Sequence, residues 1–250
     1  MVISLLNKKI LITGASSGIG RSTAILFSEL GADVIITARN KENLNETFMK
    51  LKANPNHQQI VGDLTSIDDI KKIITEIQAI DGFVHCCGKV LPVPVKFIKQ
   101  EQLQDVFGVN YFSAVNTVSE LLKQKKINNN SSIVFISSVS TLHAYFGGAP
   151  YISSKAALEG YAKTLALELV PKKIRVNVLQ PALVKTAIFE STIDAAVNNE
   201  EMMKLVSKYP LGVGEPDDVA KASAFFISDV SKWITGTNLK MDGGLTLGFN

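Results

Sequence analysis

Thr13-Gly14-Ala15-Ser16-Ser17-Gly18-Ile19-Gly20 is the stretch on which the fold turns. The short apolar run Ile10–Thr13 leads into it, and Arg21–Leu30 follows with Ile25, Leu26 and Leu30 at helical spacing. A strand therefore enters a glycine-rich turn and leaves it as a helix. Glycines at 14, 18 and 20 depart from the G-x-G-x-x-G spacing of the common dinucleotide fingerprint, yet the physics is shared. Glycine lets the backbone turn tightly and approach a ligand closely. The helix start aims free N–H groups and a positive dipole end at an anion. A tight turn without a ligand is the competing reading, and the position in the first βα unit favours the ligand. Gly14, Ser16, Ser17, Gly18, Ile19 and Gly20 are thus the expected cradle of a pyrophosphate.

Moving outward, strands and helices alternate. Val34–Thr37, Gln59–Val61, Phe83–Cys86, Ile133–Ser137, Arg175–Leu179 and Asn238–Met241 read as further strands. Between them, Lys41–Lys52, a helix from Ser66 to about Ala79, Gln100–Lys123, Tyr151–Leu169 and Asp217 to about Ile227 carry helical patterns. Ser66 caps its helix, which lines up Ile70, Ile73, Ile74 and Ile77. Lys123–Ser132 reads as an Asn-rich surface turn. Such alternation implies βαβ units with right-handed crossovers. The expected fold is α/β: a doubly wound Rossmann fold, its central seven-stranded parallel sheet covered by helices on both faces. Residues 1–250 form one domain in this reading, with the irregular segment 183–215 as a substrate lid.

Composition narrows the function. With 250 residues and 46% hydrophobic residues there is enough apolar material for one sizeable core. Lys+Arg number 26 against 23 Asp+Glu, scattered without a basic stripe, so no nucleic-acid partner is expected. The two cysteines, Cys86 and Cys87, are adjacent, and neighbours rarely bridge without strain. No His/Cys set has zinc-ligand spacing, so no metal is expected. Met1–Asn7 lacks a signal-peptide pattern, and Ser, Gly and Pro interrupt the longest uncharged run, Ser131–Ser154. A cytoplasmic location and no membrane association are the expectations.

The cofactor is read from the end of the second strand. An acid there would bind the ribose hydroxyls of NAD. This chain has Ala38 followed by Arg39, and a guanidinium beside the ribose favours a 2′-phosphate, hence NADP(H). The chemistry is read from Tyr151-Ile152-Ser153-Ser154-Lys155. Tyr151 and Lys155 share a helix face, and a nearby ammonium lowers a phenol's pKa, which fits Tyr151 for general acid–base work. Ser138, just beyond the fifth strand, and Gly88, beyond the fourth, share the crevice at the C-terminal strand ends. Asn110 is a poor interior helix residue and needs another reason to be there.

These elements together resemble the short-chain dehydrogenase/reductase family, in its single-domain branch, and are similar to 3-oxoacyl-[acyl-carrier-protein] reductases. The carriers are residues 13–20, Asp63-Leu64, Asn110, Ser138, Tyr151 with Lys155, Pro181 with Thr186, and Asp242-Gly243-Gly244. The resemblance implies an NADP-dependent interconversion of a carbonyl and a secondary alcohol. Tyr151 would exchange the proton, Ser138 would orient the substrate oxygen, and Lys155 would bind the nicotinamide ribose. Asn110 would hold a water in a proton relay toward Lys155. Asp63 and Leu64 would meet the adenine, Cys87 and Gly88 the adenosine ribose, and Pro181, Val184 and Thr186 the nicotinamide carboxamide. A homo-oligomer, tetramer or dimer, and a small-molecule substrate are implied.

Two departures stand out. His85-Cys86-Cys87-Gly88 replaces the family's Asn-Asn-Ala-Gly, so the hydrogen bonding there must differ, and His85 reads as a packing residue. Pro181-Ala182 replaces Pro-Gly. The expected substrate walls include Leu91, Val93, His143, Tyr145, Phe146, Leu183, Phe189 and Met203, with no dominant charge. A catalytically silent NADP-binding redox-sensing regulator is the alternative function, opposed by the presence of Asn110, Ser138, Tyr151 and Lys155 together. A nucleotide-sugar epimerase would need a larger C-terminal substrate region.

Overall fold

The glycine-rich turn does join the first strand to the first helix in the computed structural model, which describes residues 3–186 and 206–248. β1 (Lys9–Thr13) leads to α1 (Gly18–Glu29), then β2 (Asp33–Ala38), α2 (Lys41–Phe48), β3 (Gln58–Val61), α3 (Ile67–Glu76) and β4 (Ile80–His85). The second half runs through α4 (Gln100–Phe107), α5 (Ser113–Lys123), β5 (Ile127–Ile136), α6 (Ala149–Leu169), β6 (Arg175–Pro181), α7 (Pro216–Ile227) and β7 (Asn238–Met241). Every strand pairing is parallel, in the order β3-β2-β1-β4-β5-β6-β7. The order reverses between β1 and β4, and that crevice is where such sheets bind ligands.

Two apolar layers hold the sheet. On one face Ile70, Ile73 and Ile74 of α3 pack with Leu11, Phe83, Phe135 and Leu158. On the other, Phe27 of α1 and Phe226 and Ile227 of α7 cover Ile10, Ile12, Ile36 and Val134. Each such side chain contributes about 1.5–3 kcal/mol on burial. Ser66 caps α3 as its sequence predicts, its side chain accepting from Asp69 N. Cys86 packs against the second layer and Cys87 against the first, so the adjacent thiols lie on opposite faces and both are free.

Two segments differ from the sequence reading. The Asn-rich stretch is no simple turn: β5 begins at Ile127 and runs to Ile136. Ile127 pairs with Ile80, but the register then breaks and resumes at Gly82 and Ser132. The exposed asparagines between bulge outward, with Asn130 left-handed at φ 63°, so the expected surface turn survives as an irregularity at the start of the strand. The helix at Gln100–Lys123 is interrupted by a π turn, Gly108–Phe112, and Asn110 sits in it, fully buried. Single π turns inside helices recur at functional sites. Of the expected lid, residues 187–205, Phe189 and Met203 included, lie outside the described residues. No helix among the described residues is long and apolar enough to cross a membrane.

Candidate active site

A cleft of about 650 Å³ opens along the C-terminal ends of β2, β1 and β4. Gly14, Ser16, Ser17, Gly18, Ile19 and Gly20 line it, together with Arg39, Asp63, Leu64, Cys87, Gly88 and Thr186. Twelve sequence-predicted positions therefore converge. Gly14 is left-handed, with φ of 65°, and an added Cβ would stand 3.0 Å from the Cys86 carbonyl carbon. At Gly20 a Cβ would stand 2.2 Å from Gly14 O, so only glycine lets the helix begin this close to the strand. Ser17, the N-cap of α1, makes no side-chain capping bond, which leaves first-turn amides for an anion. A glycine cradle, an uncapped helix start and a basic side chain at the far end fit a dinucleotide phosphate.

Arg21 was not singled out in the sequence, yet it braces this loop. Its Nη2 donates to Ser16 O at 2.6 Å, and its Nε donates to Thr47 Oγ1 of α2 at 2.9 Å. Arg39 Nη1 lies 3.7 Å from Asp63 Oδ2, both side chains partly exposed. Asp63 Oδ1 accepts from the Thr65 amide at 2.9 Å and its hydroxyl at 2.8 Å. Thr186 leans over the loop from the opposite wall, its Cγ2 3.1 Å from where a Gly18 Cβ would lie. Pro181, the last residue of β6, and Val184 are buried behind it. Ala182 keeps the backbone register despite its extra methyl, its amide donating to Met241 O at 2.9 Å.

Beyond Gly88 the cleft meets α6. Pro150 sits in the first turn of that helix, where its missing N–H is no loss, and Tyr151 and Lys155 follow. Ser138, two residues past β5, lies by the Tyr151 phenol and its hydroxyl pulls the phenol's pKa down. Lys155 is buried and Nζ donates to Ile136 O at 2.7 Å. It lies 5.9 Å from the Tyr151 ring centroid. The expectation that Lys155 lowers the Tyr151 pKa is therefore corrected. Burial pushes Tyr151 up to about 12, Ser138 pulls against that, and Tyr145 adds to it. Lys155 is itself pushed down to about 8 by desolvation, with the neighbouring thiols and Glu159 opposing.

The Asn110 side chain is fully engaged by protein groups. Its Oδ1 accepts from Lys89 N at 2.7 Å, and its Nδ2 donates to Lys89 O at 3.0 Å and to Ser154 Oγ at 2.9 Å. Both amide hydrogens are thus used to clamp the loop after β4 onto α6. Gly88 passes between this clamp and Lys155: an added Cβ there would lie 3.6 Å from Lys155 Nζ.

His85 replaces the family's first Asn with a different bridge. It is fully buried, with Nδ1 2.9 Å from Thr13 Oγ1 and Nε2 3.1 Å from Ser113 Oγ. Ser113 gives its one proton to Val109 O at 2.6 Å, so His85 Nε2 carries hydrogen and Nδ1 accepts from Thr13. Desolvation, then the Lys155 charge, holds its pKa down at about 3, so the ring is neutral. Burial raises both thiols, which makes them poor nucleophiles. Among the described residues, no group of three or more His, Cys, Asp or Glu could hold a metal ion.

Glu159, one helical turn beyond Lys155, was also missed. Its Oε1 accepts from Ser137 Oγ at 2.6 Å and Gln180 Nε2 at 2.8 Å, and its Oε2 from Asn238 Nδ2 at 3.2 Å. Its spacing from Lys155 was a usable signal, since i and i+4 share a face.

A parallel switch-point sheet carries this cleft, with Ser138, Tyr151 and Lys155 beside it, and similarity to known proteins makes the chain an oxidoreductase acting on CH–OH groups. The chain belongs to the short-chain dehydrogenase/reductase family, whose members bind a nicotinamide cofactor. Residues 14–246 match the family model described as enoyl-(acyl carrier protein) reductase. A 3-oxoacyl-[acyl-carrier-protein] reductase of Thermotoga maritima is 33% identical over 96% of this chain and 98% of that protein. A glucose 1-dehydrogenase of Gluconobacter oxydans is 35% identical over 96% of this chain and 92% of its own length. Among solved structures, a glucose/ribitol dehydrogenase from Brucella melitensis superposes with a TM-score of 0.91 at 25% identity, covering 98% and 99% of the two chains. The aldohexose dehydrogenase of Thermoplasma acidophilum gives 0.85 at 27% identity, covering 98% and 96%.

Proposed function

We propose that this protein is an NADP-dependent reductase that converts a carbonyl to a secondary alcohol, with Tyr151 as the proton donor. The observation that carries the reading is the buried Lys155 ammonium 5.9 Å from the Tyr151 ring, beside the cleft that the glycine loop and Arg39 line. NADPH, when bound, supplies the hydride. Arg39, with no acid at Ala38, favours the 2′-phosphate, and Asp63 and Leu64 flank the adenine pocket. Lys155 uses one ammonium hydrogen on Ile136 O and keeps two for ribose hydroxyls. Asn110 holds the Lys89 amide and carbonyl, and so steadies the neighbouring Gly88 where the adenosine ribose would rest.

Reduction needs a proton held until negative charge appears on the substrate oxygen. With its pKa pushed up to about 12, Tyr151 keeps its proton at neutral pH. As hydride reaches the carbonyl carbon, the Tyr151 O–H bond breaks and a new O–H bond forms on the substrate oxygen. Leu91, Val93, Tyr145 and Leu183 supply mostly apolar walls, which suit a neutral carbonyl such as a 3-oxoacyl or aldose group. Exposed Trp233 and the edge strand β7, with Leu239 on it, suit a homo-oligomer contact. The free thiols suit a cytoplasmic setting.

The test is NADPH consumption with acetoacetyl-CoA and a cyclic ketone, and NADP+ reduction with D-glucose. Tyr151→Phe should lower turnover on the order of 10²–10⁴-fold while NADPH binding stays within about twofold. Substantial residual turnover would remove Tyr151 from the assigned role.

A further inference from the structure

The turn after β5 carries two serines whose hydroxyls meet. Ser138 Oγ accepts from Ser140 N at 3.2 Å and from Ser140 Oγ at 2.9 Å. Both residues are buried. A serine hydroxyl has two lone pairs and one proton. Ser140 occupies both lone pairs, so the proton is what Ser138 has left to offer. The opposite sense, Ser138 donating to Ser140, would strand the Ser140 proton. Among the described residues Ser138 is the one partner of that hydroxyl, and an unpaired buried hydroxyl is costly.

We propose that Ser140 is a positioning residue that makes Ser138 an obligate hydrogen-bond donor to the reacting oxygens; this rests on the roles given to Ser138 and Tyr151 above. Three consequences follow from the arrangement. Ser138 cannot take the Tyr151 hydrogen, so that hydrogen is left for the substrate oxygen. Accepting two hydrogen bonds polarises the Ser138 O–H and strengthens its donation. The donor is committed before negative charge develops, so little reorganisation accompanies the reaction. The turn itself is fixed from below. Thr141 N donates to Ser138 O at 3.3 Å, and Thr141 Oγ1 lies 3.0 Å from both Ser138 O and Glu159 Oε1.

The experiment compares Ser138→Ala, Ser140→Ala and Ser140→Thr by steady-state kinetics with NADPH and acetoacetyl-CoA across pH. Ser138→Ala should abolish turnover. Ser140→Ala should lower kcat roughly three- to tenfold, as expected for loss of one orienting hydrogen bond, without changing KM for NADPH. Ser140→Thr, which keeps the hydroxyl, should restore kcat. The alkaline limb of the kcat profile should move upward in Ser140→Ala, because weaker donation stabilises phenolate less. A second readout needs no turnover: the Cζ NMR signal of Tyr151 in 13C-tyrosine-labelled protein, identified by its loss in Tyr151→Phe. That signal should move in Ser140→Ala and return in Ser140→Thr. Full kcat and an unmoved signal in Ser140→Ala, with Ser138→Ala inactive, overturn the proposal for Ser140. Full turnover in Ser138→Ala overturns the role of Ser138 itself.

Discussion

Replacing Arg39 by Asp tests the cofactor assignment with a magnitude that follows from the site. Arg39 is 66% exposed and pairs with Asp63 at 3.7 Å. An ion pair this open is worth less than about 1 kcal/mol. A guanidinium on a phosphate makes charge-assisted, often bidentate bonds worth about 1.5–3 kcal/mol. Redirecting Arg39 from Asp63 to a 2′-phosphate therefore gains about 1–2 kcal/mol. A carboxylate at this exposed position adds repulsion of about 1 kcal/mol, the value for the dielectric of bulk water. NADPH affinity should fall roughly 30- to 150-fold in Arg39→Asp, since each 1.4 kcal/mol is tenfold. NADH affinity should hold or rise, because the new acid can accept from the ribose hydroxyls. The assay is nicotinamide fluorescence on titration with NADPH and NADH at two salt concentrations. Wild-type NADPH binding should weaken with salt more than the variant's. An NADPH affinity within about twofold of wild type would refute the reasoning.

Two buried bases yield further predictions. His85 is held at about 3 against 6.5 for a free imidazole, so the unfolded chain binds more protons than the folded one as pH falls. Its stability contribution is full above about pH 6.5 and drains by up to about 1.4 kcal/mol per unit toward pH 3. Urea unfolding of His85→Asn should show a shallower acid slope than wild type, and parallel slopes would contradict the neutral-imidazole assignment. Lys155 at about 8 against 10.5 destabilises the fold at neutral pH. The shift is worth about 3 kcal/mol. The Ile136 carbonyl's lost partner offsets about 1 kcal/mol. Lys155→Met should therefore raise unfolding free energy by about 2 kcal/mol at pH 7, the gain fading toward pH 10.5, while turnover is lost. A destabilised Met variant at pH 7 would contradict the desolvation argument.

Much of this site is legible in the sequence because backbone geometry imposes it. A glycine whose Cβ would stand 2.2 Å from a carbonyl oxygen leaves its mark on any chain with this turn. Strand and helix alternation fixed the parallel sheet, and Pro150 marked the start of α6. What was hidden depends on contacts between distant segments. The Asn110 clamp needs Lys89 and Ser154, 21 and 44 residues away. His85 finds Thr13 and Ser113 across two elements, and no local pattern announces either. The upward push on Tyr151 was not legible because helix spacing gives a shared face, while burial depends on what the rest of the chain packs around it. The early Ile127–Ile80 pairing was not legible because it lies across a bulge formed by three asparagines, one of them left-handed.

The most direct test of the account follows the hydride. The protein is incubated with NADPH carrying deuterium at the transferring C4 position, together with acetoacetyl-CoA and the cyclic ketone, and the alcohol products are read by mass spectrometry. The account predicts deuterium at the carbinol carbon, transferred by wild type and lost in Tyr151→Phe. Tight NADPH binding with no deuterium in any product would contradict it and favour a protein that binds the cofactor without chemistry.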